Sequence, residues 1–160
     1  MRQLQLTKEP IAKAEMLIRK PVPEVYEAFI NPEITTKFWF TKSSGRIEAG
    51  KQVIWYWEMY NISAQVNVRE VEENKRILID WGNYDSATAV EWIFTPYGND
   101  ATYVSITNSG FKGDGDKVVR DALDSTGGFT TVLDGAKACL EHNINLNLIT
   151  DKFPKGLTEH

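Results

Sequence analysis

The residues that most readily do chemistry are sparse in this chain. Its single cysteine, Cys139, and His142 are three residues apart on a predicted helix, so their side chains could share a metal. A structural zinc site needs four ligands, and the other histidine, His160, is the C-terminal residue. Cys139 also falls on an apolar stripe, where thiols are usually inert. We therefore predict no metal, no cofactor and no nucleophile at this pair.

Three other titratable side chains are candidate acid–base groups, together with His142. Tyr56, Asp80 and Glu91 lie in predicted strands, and Asp80 and Glu91 alternate to the polar side of theirs. Asn108 ends a strand, where an ordinary strand-end role is favoured over the orientation of a ligand. These residues form no catalytic set, so the sequence leaves open whether the protein is an enzyme.

Tryptophans are the most prominent potential binding residues. The five of them are Trp39, Trp55, Trp57, Trp81 and Trp92. Each supplies a large apolar surface with one hydrogen-bond donor, which suits either the wall of a ligand cavity or a filled core. Both alternatives stay open, and for Trp55 and Trp57 an interface with a second subunit is a third.

Charge and length exclude several function classes. The 160 residues carry a net charge of −4, and 18 basic and 22 acidic residues are scattered without a basic run. This distribution argues against nucleic-acid binding. No stretch reaches the roughly 18 apolar residues of a membrane helix, and the polar N-terminus does not resemble a signal peptide. With one cysteine, the chain is expected to be cytoplasmic and to form one domain over residues 1–160.

The pattern along the chain predicts an α+β fold. Residues 11–19 alternate as a half-buried strand, Pro23 opens a helix, and Asn31 caps a second short helix. Turn residues then punctuate runs rich in β-branched and aromatic residues. This predicts six further strands at about 44–47, 52–58, 62–71, 76–81, 88–95 and 102–108.

One face of the sheet is apolar and requires a cover. Residues 88–95 and 102–108 place Val90, Trp92, Phe94, Val104 and Ile106 on that face. The cover is a predicted helix over residues 126–142, with an apolar stripe at helical spacing. Residues 124–126 are its candidate caps, and Gly127–Gly128 would let its start pack closely on the sheet. Residues 116–123 are predicted as a shorter helix or turn, and 144–149 suit either strand or helix.

Several stretches resemble one superfamily in order along nearly the whole chain. They are residues 18–29, 31–34 with 38–40, 76–81, 102–111, and 128–133 with 140–142. The chain resembles the START-like (SRPBCC) superfamily, and within it the bacterial relatives of the activator of the heat-shock-protein-90 ATPase. The resemblance implies a helix-grip fold, in which about seven curved antiparallel strands wrap a long C-terminal helix and leave a cavity between them.

The resemblance and the apolar face together predict a small apolar ligand as the partner. The expected pocket residues are Trp39, Trp55, Trp57, Trp81, Trp92, Phe94, Val104, Ile106, Asn108, Phe129, Val132, Leu133 and Ala136. Two alternatives remain, a cyclase or aromatase-like enzyme and a module that interacts with a chaperone. A homodimer is compatible with all three.

Overall fold

A strand followed by two short helices begins the fold. The computed structural model describes residues 4–83 and 85–157. In it, β1 (Ala12–Ile18) is followed by α1 (Val22–Ile30) and α2 (Pro32–Thr35). The predicted cap is confirmed, because the Asn31 side chain accepts a hydrogen bond from the Glu33 N–H at 3.1 Å. Prolines occupy the first turn of both helices, where their missing N–H groups cost little.

The strands form one antiparallel sheet of seven strands, in the order β1-β7-β6-β5-β4-β3-β2. The remaining strands are β2 (Lys42–Ser43), β3 (Gln52–Trp57), β4 (Ile62–Glu72), β5 (Arg76–Trp81), β6 (Thr88–Tyr97) and β7 (Ala101–Ser109). A register shift between Val68 and Glu70 interrupts the pairing of β4 with β5. Such a bulge increases the local twist and bends the sheet around what it covers.

The long helix begins at residue 115, well before the predicted start at residue 126, which corrects the prediction. Helix α3 (Gly115–His142) runs without a break through Gly127 and Gly128. Its cap is Asp114, whose side chain accepts a hydrogen bond from the Lys117 N–H at 2.9 Å. Residues 124–126 are therefore not caps, and residues 116–123 belong to this helix. Buried Val118 and Ala122 extend the apolar stripe backward and explain why the helix continues.

One further segment differs from the prediction, and another decides between two predicted alternatives. The second strand is Lys42–Ser43, not residues 44–47. After α3, residues 143–147 are irregular and α4 (Leu148–Lys152) follows, so the ambiguous tail is partly helical. Within the described ranges, none of the helices is both long enough and apolar enough to cross a membrane.

The core lies between the inner face of the sheet and helices α1 and α3. Alternation along β6 and β7 is confirmed, because Val90, Phe94 and Val104 are almost completely buried. Leu133 of α3 and Val25 of α1 have no exposed surface. This α+β arrangement is the helix-grip fold that the sequence predicted.

Candidate functional site

A cavity of about 1070 Å³ lies between the sheet and α3. The ends of β3 and β5 contribute Trp57 and Trp81, and the segment after α2 contributes Trp39. Phe129 and Val132 of α3 form part of the opposite wall. The size is at the upper end of the range for small-molecule sites, so the sheet and helix do not close completely on each other.

Aromatic rings form one wall of the cavity. The ring centroid of Trp39 lies 5.6 Å from that of Trp81, 6.5 Å from that of Trp57 and 5.9 Å from that of Phe129. Trp57 and Trp81 are 6.0 Å apart and tilted by 33°. Contacts at these distances hold the rings against each other. They leave no room between the rings, so the cavity lies beside this cluster and not within it.

The thirteen predicted pocket residues divide into two groups by position. Six lie on the cavity wall: Trp39, Trp57, Trp81, Asn108, Phe129 and Val132. Seven lie in the packed core instead: Trp55, Trp92, Phe94, Val104, Ile106, Leu133 and Ala136. The structure thus contains both a filled core and a cavity. Contact of any of these residues with a ligand stays a prediction.

Besides Phe129 and Val132, helix α3 borders the cavity with small or polar residues. Asp121, Ser125, Gly128 and Val132 are spaced by four, three and four residues, which places them in one row. A Cβ atom added at Gly128 would meet no other atom within 4 Å. The missing side chain therefore leaves space on the helix side of the cavity. This corrects the expectation that Gly127–Gly128 serve close packing.

A polar pair crosses the cavity wall between sheet and helix. Asn108, only 5% exposed, donates from Nδ2 to the Ala89 carbonyl at 2.8 Å. Its Oδ1 accepts a hydrogen bond from the Ser125 hydroxyl, also at 2.8 Å. Asn108 is therefore a buried wall residue, unlike the strand-end role that the sequence favoured. The two hydrogen bonds fix the amide in one orientation.

The C-terminal segment forms a further part of the wall. Ile149 of α4 and residues 153–156 border the cavity, as does Tyr60 in the 3₁₀ turn after β3. The Tyr60 hydroxyl donates to the Phe153 carbonyl at 2.5 Å. Burial raises the pKa of Tyr60, and the charge of Asp151 raises it further. The hydroxyl thus stays protonated and keeps the segment against the sheet.

Two buried indole N–H groups lie beside this wall without a hydrogen-bond partner in the described residues. They belong to Trp55 and Trp92, each 2% exposed. Their rings contact the Trp39 ring at centroid distances of 4.9 and 6.2 Å. Unpartnered buried donors cost stability, and their position here follows from the dense ring packing around them.

None of the candidate acid–base groups identified in the sequence borders the cavity. Glu91 pairs with Arg76 at 2.5 Å and Asp80 with Arg69 at 3.0 Å. Tyr56 lies beneath the Lys42 ammonium, and His142 is exposed. The enzyme alternative therefore loses the groups on which it was based.

The cysteine shows no sign of activation. Burial raises the pKa of the Cys139 thiol, and the charge of Lys37 opposes this only in part. A raised pKa keeps the thiol protonated and poorly nucleophilic at neutral pH. Across residues 4–83 and 85–157, no group of three or more His, Cys, Asp and Glu side chains could hold a metal.

Most of the cavity wall was not predicted from the sequence. The unpredicted wall residues are Met59, Tyr60, Asn61, Ile62, Ser63, Ala64, Gly82, Ser86, Thr88, Phe111, Asp121, Ser125, Gly128, Ile149, Phe153, Pro154, Lys155 and Gly156. They share no apolar pattern, because many are small, polar or in turns. The signal that could have found some of them is the row of four on α3, which becomes visible once the helix is extended to Gly115.

Comparisons with known proteins agree with this architecture. The protein SSP2350 from Staphylococcus saprophyticus is 28% identical, with a TM-score of 0.74 over 86% of this chain and 96% of that one. The Aha1 dimer from Colwellia psychrerythraea is 17% identical, with a TM-score of 0.71 over 83% and 97%. CalU16 from Micromonospora echinospora is 14% identical, with a TM-score of 0.66 over 91% and 90%. The last two show the fold alone.

Sequence comparison gives the family. Among curated proteins, none matches the chain. The sequence model of the activator of Hsp90 ATPase homolog 1-like proteins matches residues 19–141, from the end of β1 to the last turn of α3. This match covers more than half of the chain and includes most of the cavity wall. The chain therefore belongs to the family of activator of Hsp90 ATPase homolog 1-like proteins.

Proposed function

We propose that the protein binds a small hydrophobic ligand in the cavity between the sheet and α3. The observation that supports this most directly is the cavity itself, about 1070 Å³ in volume with Trp39, Trp57, Trp81 and Phe129 on its wall. Burying apolar surface against such rings is favourable by about 25 cal/mol for each Å². A cavity of this size class accommodates a drug-sized ligand.

Direct identification of a ligand is the first experiment. Native mass spectrometry of protein purified gently from its source reports any bound mass, and organic extraction then isolates the compound. A lipid or aromatic compound at one equivalent is the expected result.

The same spectra report the oligomeric state. Trp55 and Trp57 point inward, so a dimer interface on β3 would have to use the outer side of the strand, with Ile54 and Tyr56.

A cavity-filling variant tests the location of binding. The uncharged dye phenylnaphthylamine, whose fluorescence rises in apolar surroundings, serves as the probe. Gly128→Phe places a ring in the open space at Gly128 and should abolish the fluorescence increase. Leu123→Phe is the matched control, because Leu123 lies on the same helix and is 69% exposed. Equal dye binding by both variants would place the ligand elsewhere.

The proposal also leads to expectations about the protein's cellular location and its protein partners. A cytoplasmic ligand carrier needs no disulfide, in keeping with the single Cys139. A chaperone partner is the alternative that the family description suggests. Absence of any extracted ligand, together with no dye binding, would contradict the cavity proposal and turn attention to protein partners.

A further inference from the structure

The Asn108 amide has a defined orientation toward the cavity wall. The Ala89 carbonyl can only accept a hydrogen bond, so the atom 2.8 Å from it must be the amide nitrogen. The amide oxygen then faces Ser125, and an amide oxygen cannot donate. The Ser125 hydroxyl must therefore direct its single proton to Asn108 Oδ1. The protons of the pair are fixed by these two contacts.

The remaining hydrogen-bonding capacity of the pair follows from this arrangement. With its proton committed to Asn108, the Ser125 oxygen can only accept from a third group. Asn108 keeps one Nδ2–H that donates to no other described residue. Both residues border the cavity. The pair thus offers one acceptor and one donor on a wall that also carries the apolar rings of Trp57, Trp81 and Phe129.

Charged groups on the wall are confined to Asp121 and Lys155 among the described residues. The Asp121 carboxylate is paired with Lys117 at 2.5 Å, and Lys155 is exposed to solvent. Among the described wall residues, an anionic ligand group at the Asn108–Ser125 pair would find no free cation beside it, and an ammonium group could not accept a hydrogen bond from Asn108 Nδ2. Burying an unpaired charge is strongly unfavourable, so the inner part of the cavity favours an uncharged ligand.

We infer that the ligand is uncharged and carries a hydroxyl group that donates to Ser125 Oγ and accepts from Asn108 Nδ2. This inference rests on the proposed function, and it adds a chemical class to it: an apolar alcohol or phenol. A hydroxyl matches one acceptor and one donor together. An ether or ketone can only accept, so it would leave the Ser125 oxygen without a partner.

A matched ligand series tests this inference in the unmodified protein. Hydroxypyrene, methoxypyrene, pyrene and pyrenecarboxylate share one ring system, and quenching of tryptophan fluorescence by each at pH 7 gives its dissociation constant. Hydroxypyrene should bind more tightly than methoxypyrene by up to about ten-fold, the upper end of what one additional hydrogen bond gives. Pyrenecarboxylate should bind at least about ten-fold more weakly than hydroxypyrene, because its charge has no partner.

Two serine variants assign the preference to the pair. In Ser125→Ala the affinity ratio of hydroxypyrene to methoxypyrene should fall to about one. Ser63→Ala, which changes another serine of the wall that is exposed, should keep the ratio of the unmodified protein. Circular dichroism checks that each variant is folded. The ligand series is measured on the unmodified protein, so misfolding of Ser125→Ala would leave the test of the hydroxyl preference intact.

The outcomes separate this inference from the proposed function. Equal affinity for hydroxypyrene and methoxypyrene would overturn the hydroxyl assignment while leaving a hydrophobic cavity that binds ligands. A preference for hydroxypyrene that persists in Ser125→Ala would overturn the assignment to this pair. Failure of all four pyrenes and of phenylnaphthylamine to bind would overturn both proposals.

Discussion

Replacement of the two central glycines of α3 by alanine should make the protein more stable. Gly127 and Gly128 lie in the middle of a 28-residue helix. Glycine in a helix interior costs free energy relative to alanine, because its backbone loses more conformational freedom on folding. An added Cβ would meet only Lys152 Nζ, at 4.0 Å, in the case of Gly127, and no atom within 4 Å in the case of Gly128. Neither methyl group has to displace a neighbour.

The size of the effect follows from helix propensity. Each Gly→Ala change in a helix interior is worth about 0.8–1.0 kcal/mol, so the double variant should gain about 1.6–2 kcal/mol in free energy of unfolding. For a protein of this length, 1 kcal/mol corresponds to roughly 2–4 °C, which gives a rise in Tm of about 3–8 °C. Urea denaturation followed by circular dichroism measures the free energy, and a thermal scan of the same samples measures Tm.

A third glycine of α3 provides the control. A Cβ at Gly135 would lie 3.3 Å from both the Cβ and the carbonyl oxygen of Phe38. Gly135→Ala therefore gains helix propensity but crowds a backbone atom in the core, and we expect no gain or a loss of stability. If Gly127→Ala and Gly128→Ala also failed to stabilise, the glycines would not lie in the interior of a helix. The helix would then start near residue 126, as the sequence pattern first indicated.

Two other hydrogen-bonded contacts give measurable effects. Tyr60→Phe removes the donation to the Phe153 carbonyl, so it should lower the free energy of unfolding by about 1 kcal/mol. It should also speed amide hydrogen exchange in residues 148–157 but not in α3, and unchanged exchange there would contradict a fastening role for Tyr60. Burial raises the pKa of Glu141. Hydrogen bonds from the Arg19 N–H and the Lys137 ammonium lower this pKa by more, so the folded-state pKa of Glu141 lies below the ordinary value of a glutamate. The carboxylate therefore stabilises the fold fully above the unfolded-state pKa of about 4.3, and this stabilisation is lost as pH falls through the lower folded-state value. Glu141→Gln should lose less stability than the unmodified chain between about pH 5 and pH 3, and parallel pH profiles would refute this.

The sheet could be predicted from sequence because its pattern is local. Alternation in β6 and β7 distinguishes the buried side from the solvated side residue by residue. Turn residues at Asn74 and Gly98 mark where strands reverse, and both have positive φ angles. The chain thus specifies six of its seven strands closely. The short β2 is the exception, because a two-residue strand has no period to detect.

The start of α3 could not be found in the same way, because a local rule and tertiary packing disagree there. Two adjacent glycines usually indicate a helix end or a loop. In this fold Val118 and Ala122 are buried on the extended stripe, and Asp114 caps the helix. Packing of these residues offsets the cost of the glycines, which local propensity cannot reveal.

The cavity was the least predictable feature, because an apolar pattern shows which side of an element faces inward but not whether the space there is filled. Trp92 and Trp81 both sit in strands of the sheet, yet Trp92 packs against Phe29 in the core while Trp81 borders the cavity. Phe129 of α3 contacts both rings, at centroid distances of 6.0 Å for Trp81 and 6.2 Å for Trp92, so the pattern of the helix does not distinguish them. Next to Phe129 the helix presents Ser125 and Gly128 to the cavity, and these small residues leave space there unfilled. Small residues on one face of the covering helix are therefore a sequence signal of the cavity in this chain. It can be recognised only after the helix has been extended far enough to place both residues on one face.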